Sequence, residues 1–94
     1  MLSINPFDLA RSEGADLEKQ ILRVGLISEL DTVNLIEQLS SISKDEKVKA
    51  ILGYIIKEEK EHVGAMKTLL LRIDEQQMQG LADGTKRLEE LNEK

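Results

Sequence analysis

Apolar residues recur at helical spacing through two long stretches of this chain, with a short polar segment between them. From Ala15 to about Ile42, the positions Leu17, Ile21, Leu22, Leu26, Val33, Ile36 and Leu39 fall mostly three, four or seven apart. That is the period of one face of a helix. Gly25 is its weak point, because glycine inside an exposed helix costs about 1 kcal/mol against alanine. A residue this small can also let a neighbouring helix come close. The pattern breaks at Ser-Ile-Ser-Lys-Asp-Glu, where Ser43 and Glu46 have the spacing of a capping box. A second helix is predicted from about Lys44 to Arg72, with the stripe Val48, Ile51, Leu52, Ile55, Val63, Met66, Leu69 and Leu70. Asp74 reads as a further N-cap, opening a shorter helix that Gly80 and Gly84 interrupt.

The predicted organisation is an N-terminal arm over 1–14, holding the only proline, Pro6, then a helical hairpin over 15–73 and a short C-terminal helical segment over 74–94. Two helices of about 28 residues are each roughly 42 Å long. A link this short makes them antiparallel. Two helices cannot bury both apolar stripes fully against each other. The expected architecture is therefore all-α: an antiparallel two-helix hairpin plus a short C-terminal helix, dimerising into a four-helix bundle.

Composition narrows the function. The chain has 94 residues, enough for one domain, and its aromatic side chains are Phe7 and Tyr54 alone. It has no cysteine, which excludes disulfides and thiolate metal sites. The net charge of −5 argues against nucleic acid, whose phosphates call for a basic stripe. No apolar run approaches the ~18 residues of a membrane span, and the start lacks the pattern of a signal peptide. A soluble, cytoplasmic protein is the expectation.

Three residues interrupt the apolar stripes. Glu29 lies between Leu22, Gly25 and Leu26 on one side and Val33 and Ile36 on the other. Glu59 lies between Leu52, Ile55 and Ile56 and the pair Val63 and Met66, and His62 follows three residues later on the same face. Measured from the turn, Glu29 and Glu59 both stand roughly 22 Å away, at one level of the bundle. Two carboxylates meeting in an apolar seam are costly unless a cation or a proton joins them. One Glu from one helix and Glu-x-x-His from the other is half the ligand set of a di-iron carboxylate bundle. Carboxylate oxygen and imidazole nitrogen suit iron or manganese. A two-fold partner would supply the other half. Glu-x-x-His alone is a weak signal in a chain with 18 acidic residues; stripe position, height and spacing together carry the reading. Glu58, Lys60 and Glu61 read as a solvated face.

The segment SELDTVNLIEQLSSISKDEKVKAILGYIIKEEKEHVGAMKTLLLRID resembles the encapsulated ferritin family, two-helix ferritin-like proteins found inside encapsulin nanocompartments. MLSINP and EKEHVG are especially similar to archaeal encapsulin shell proteins that carry such a domain at their amino terminus. The resemblance covers about half the chain and implies a ferritin-like four-helix bundle. It implies ferroxidase activity: two Fe(II) bound at a dimer interface and oxidised to Fe(III). Glu29, Glu59 and His62 would be the iron ligands, from both chains of a dimer, with Ca, Zn or Mn as substitute metals. Asp31 matches an acidic position that the family places near the iron access route. It also implies a ring of dimers, often a decamer, an encapsulin shell as fused or cargo partner, and location inside the nanocompartment. The chain departs from the family in two ways. Leu35 and Ile36 stand where members often have Tyr or Trp, and no extended targeting peptide is legible after Gly84. The second departure suits a domain of a shell fusion, or a truncated cargo.

Two rivals make different predictions. A non-enzymatic helical oligomerisation module would pair Glu29 and Glu59 with cations such as Lys44, Lys57 or Lys60. A rubrerythrin-like peroxide reductase usually adds an iron domain with four cysteine ligands, which a chain without cysteine cannot supply.

Overall fold

The computed structural model describes residues 14–93, which fold as three helices without a strand: α1 (Gly14–Ile42), α2 (Glu46–Ile73) and α3 (Glu75–Asn92). The predicted N-terminal arm lies outside the described residues except for Gly14. At 29 and 28 residues, α1 and α2 are each a little over 40 Å long by the ~1.5 Å rise per residue. Only residues 43–45 join them, so they run antiparallel.

The cap of α2 differs from the one expected. Asp45, not Ser43, stands at the N-cap: its Oδ1 accepts from the backbone N–H of Lys47 at 2.8 Å and of Val48 at 3.1 Å. The helix therefore starts at Glu46, two residues later than predicted. A carboxylate satisfies two orphan donors and adds a favourable charge at the positive end of the helix dipole. Ser43 serves the turn itself, its Oγ accepting from the N–H of Asp45 at 3.3 Å.

Among the described residues the core is thin. Val33 at 8% exposure and Leu70 at 5% are their buried apolar side chains. Leu22, Leu26, Ile36, Leu52, Ile55, Val63 and Met66 are half-buried, whereas Ile21, Leu39, Val48, Ile51 and Leu69 of the expected stripes are exposed. One hairpin covers only the sides of its stripes that face each other. Gly25 does permit a close approach. A Cβ there would lie 3.0 Å from Met66 Sδ and 3.2 Å from its Cε, so the thioether of α2 occupies the notch that glycine leaves in α1.

Helix α3 departs from the hairpin at a single residue, Asp74, and of the two other described helices it packs against α2. The chain is a broad plate of 46 × 45 × 20 Å. Its radius of gyration is 16.9 Å, against about 12 Å for a compact domain of this length. Gly80 and Gly84 do not interrupt α3, contrary to the sequence expectation. A lone glycine costs about 1 kcal/mol, too little to break a helix held by other bonds. Here Asp74 caps Gln77, and the amide of Gln79 donates to Asp83 across Gly80.

Candidate metal centre

Glu29 sits midway along α1, with Val33 one turn above it anchored against α2. Glu59 and His62 lie one turn apart on α2, beside half-buried Val63. The equal heights read from the sequence translate into contact. His62 Nδ1 is 3.7 Å from Glu29 Oε1 and 3.6 Å from Glu59 Oε2. One donor atom from each residue lies within 4.8 Å of the other two. Among the described residues these three form the one such acidic and histidine cluster.

The seam is less enclosed than the sequence suggested. The Glu29 and Glu59 side chains are 22% and 18% exposed, and His62 is 50% exposed. The reason is that α1 and α2 cover only the sides of their stripes that face each other, and the cluster lies at the edge of that seam. Even so, Glu59 Oε2 is itself buried and accepts no hydrogen bond. A buried carboxylate oxygen without a partner costs on the order of 1–3 kcal/mol, more when charged.

Cations among the described residues do not answer it. Among the described residues, no Lys or Arg lies within ion-pair reach of Glu29 or Glu59; Lys60 turns to Glu37 at 3.6 Å instead. The donor set is two carboxylates and one imidazole, hard to borderline ligands that match a divalent first-row cation. Atoms around a common cation at about 2.1 Å stand roughly 3.0–3.4 Å apart, so separations of 3.6 and 3.7 Å are close to coordination. The residues present fit a metal.

Asp31 is exposed and stands apart from this cluster, two residues from Glu29 and so turned to another side of α1. Leu35 is exposed and Ile36 half-buried. Lys60 and Glu61 are exposed as read, but Glu58 is half-buried. Hydrogen bonding to Glu58 and the charges of Glu58 and Glu61 push the exposed Tyr54 phenol above its usual range.

One polar contact escaped the sequence reading. Arg23 Nη2 meets Asp74 Oδ2 at 2.6 Å, and Asp74 is 4% exposed. The cap at Asp74 was legible from its neighbours, whereas its partner lies 51 residues away. A groove of about 800 Å³ between the hairpin and α3 contains none of the three cluster residues.

Comparison with known proteins places this geometry in context. No protein-family model matches the chain. It is 43% identical over 93 residues to a ferritin-like-encapsulin shell fusion protein of Pyrococcus furiosus, an alignment that covers 97% of this chain and 27% of that protein. It is 33% identical over 79 residues to the encapsulin nanocompartment cargo protein EncC of Myxococcus xanthus, covering 82% of this chain and 61% of the cargo. The crystal structure of the encapsulated ferritin domain from Pyrococcus furiosus superposes with a TM-score of 0.82 at 41% identity, over 97% of this chain and 95% of that one. The chain thus spans about a quarter of the fusion protein, under two thirds of the cargo protein, and nearly all of the crystallised domain.

Proposed function

The chain belongs to the encapsulated ferritin family, and from that membership and its acidic cluster we propose that it is a ferroxidase, oxidising Fe(II) to Fe(III) for storage in an encapsulin compartment. Fe(II) is here the substrate. The observation that carries the reading is the buried, unpartnered Oε2 of Glu59, aimed at His62 and facing Glu29.

Glu29, Glu59 and His62 are too few ligands for two metal ions. A second copy, related by a two-fold axis along the open face, supplies the same three again. That contact also covers apolar side chains which a lone hairpin leaves to solvent. In the dimer, Glu29, Glu59 and His62 of each chain would hold the Fe(II) substrate, with Glu59 and its copy shared between the two halves of the site. The imidazole must be neutral and both carboxylates ionised to donate, so protons compete with Fe(II) for the site. Each Fe(II) yields one electron to an external oxidant, dioxygen or peroxide.

The rival reading as a passive oligomerisation module is less well supported. It expected Lys44, Lys57 or Lys60 to neutralise Glu29 and Glu59, and none of them does.

The test is aerobic Fe(III)-oxo absorbance after Fe(II) addition to the wild type and to Glu59→Ala, with size-exclusion mass measured in parallel. Fast oxidation by an oligomer, lost in the variant, supports the ferroxidase. Oxidation at the rate of free iron in both proteins sinks it and leaves the oligomerisation module.

A further inference from the structure

Asp74 is a single residue that ends one helix and begins another, and each of its polar groups is engaged. Its backbone N–H donates to the carbonyl of Leu70 at 2.9 Å, and its own carbonyl accepts from Met78 at 3.0 Å. Oδ1 accepts from the N–H of Gln77 at 3.1 Å, which fixes the first turn of α3. Oδ2 accepts from Arg23 on α1 at 2.6 Å. One carboxylate therefore ties α3 to α1 across the end of α2. Among the described residues, no other side-chain hydrogen bond or ion pair joins α1 to α3 or to the corner before it.

Apolar packing does little to hold α3 beyond that corner. Met78, Leu81, Leu88 and Leu91 remain 47%, 39%, 60% and 58% exposed. The helix diverges from the hairpin and leaves the groove of about 800 Å³, walled by Leu26, Leu30, Leu70, Leu71, Leu81 and Leu88. Arg23 itself lies on the rim of this groove. A helix anchored at one end, with an open concavity beneath it, takes its angle from its anchor.

We propose that the Arg23–Asp74 pair is a latch that sets the angle between α3 and the hairpin, and with it the width of the apolar groove. Both the bond to Gln77 and the pairing with Arg23 hold the Asp74 carboxyl below its ordinary range, so the latch is charged. Arg23 is half exposed, so replacing it leaves the apolar contacts of the hairpin in place.

The experiment measures the α2-to-α3 distance directly. The chain has no cysteine, so Lys57→Cys and Glu89→Cys, both at exposed positions, introduce the only two thiols for spin labels. Labelled chains diluted into unlabelled ones give the distance within one chain by pulsed spin resonance. Arg23→Met removes the pair and keeps the Asp74 cap; Asp74→Asn keeps a capping side chain and removes the charge. The latch predicts a narrow distribution in the parent, broadened and shifted to a new mean in both variants, with helix content unchanged by circular dichroism. The same narrow distribution in all three proteins would show that packing at the corner sets the angle and would overturn the proposal. Neither outcome depends on metal at the Glu29 cluster.

Discussion

Glu59 Oε2 lies 3.6 Å from Nδ1 of His62, one turn further along α2, and accepts a hydrogen bond from nothing. The gap is too long for a hydrogen bond and near the spacing of two ligands on one ion. Glu29 closes the third side at 3.7 Å from the same nitrogen. Such an arrangement costs free energy unless a cation or a proton joins the groups. Removing the carboxylate should therefore separate apo stability from metal response. Glu59→Gln without metal is expected to melt at or above the wild-type temperature, because a like-charge contact and an unpaired oxygen are both relieved. Metal at about 100 times its Kd should stabilise the wild type by about 2.7 kcal/mol and the variant far less. Thermal denaturation of both proteins with and without Co(II), an oxidation-resistant probe, reads the difference. An equal shift in both would place the metal elsewhere.

Asp74 gives a pH dependence with a definite sign. The N–H of Gln77 lowers its pKa most, burial opposes that, and Arg23 and Lys19 lower it further; the net effect is downward from 3.8. A group whose folded value is depressed contributes stability in full above its unfolded value, and loses it as pH falls through the folded one. The wild type should thus be more stable than Asp74→Asn near neutrality. The difference should hold down to about pH 5 and shrink below pH 4, since the unfolded carboxyl titrates near 3.9. Urea midpoints of the two proteins along a pH series test this, and a gap that widens on acidification would reverse the assignment.

The cap of α2 can be assigned by two substitutions. Asp45→Ala is expected to cost about 1 kcal/mol, the usual loss when an N-cap side chain is removed. Ser43→Ala should cost a few tenths, because its hydroxyl supports only the turn. Equal losses in a denaturant series would restore Ser43 as a joint cap.

The glycines of the helices differ in a way that substitution should show. A Cβ at Gly84 meets nothing within 4 Å, so Gly84→Ala should stabilise α3 by about 1 kcal/mol. At Gly25 the same gain is set against a contact of 3.0 Å with the Met66 sulfur. Gly25→Ala alone should be close to neutral, and the gain should return when Met66→Ala clears the notch. Chemical denaturation of the single and double variants, each against its own background, gives both values.

These contrasts show why part of the molecule was legible in the sequence and part was not. The Glu29, Glu59 and His62 constellation follows from helical arithmetic: a spacing of three along α2 and equal distances from one short turn. Helix rise is nearly constant, so counting residues is measuring length. Asp45 and Ser43 are two residues apart and both good caps, and the choice between them rests on the turn's own geometry. Gly80 and Gly84 carry a propensity cost that the sequence shows, but not the bonds from Gln77 to Asp74 and from Gln79 to Asp83 that hold the helix around Gly80. The Arg23–Asp74 pair has no local signal at all. It exists because α3 leaves the hairpin at one angle, and no periodicity encodes that angle. The exposure of Ile51, Leu69 and Leu39 is likewise invisible to a pattern that shows which face is apolar but not what covers it.

A single chain offers two carboxylates and one imidazole within 4.8 Å of one another, enough for one weakly held ion and not for a pair. If a two-fold partner completes the site, the oxidising species is the dimer and its concentration depends on total protein. Specific Fe(II) oxidation should therefore be constant at high protein concentration and fall on dilution, in step with the loss of oligomer by light scattering. Far below the dimer Kd, the rate per chain should fall in proportion to protein. Metal should shift this curve to lower protein concentration, because ions that bind only the dimer stabilise it by mass action. A rate per chain independent of dilution, through the range where the mass falls to that of one chain, would mean that one hairpin suffices.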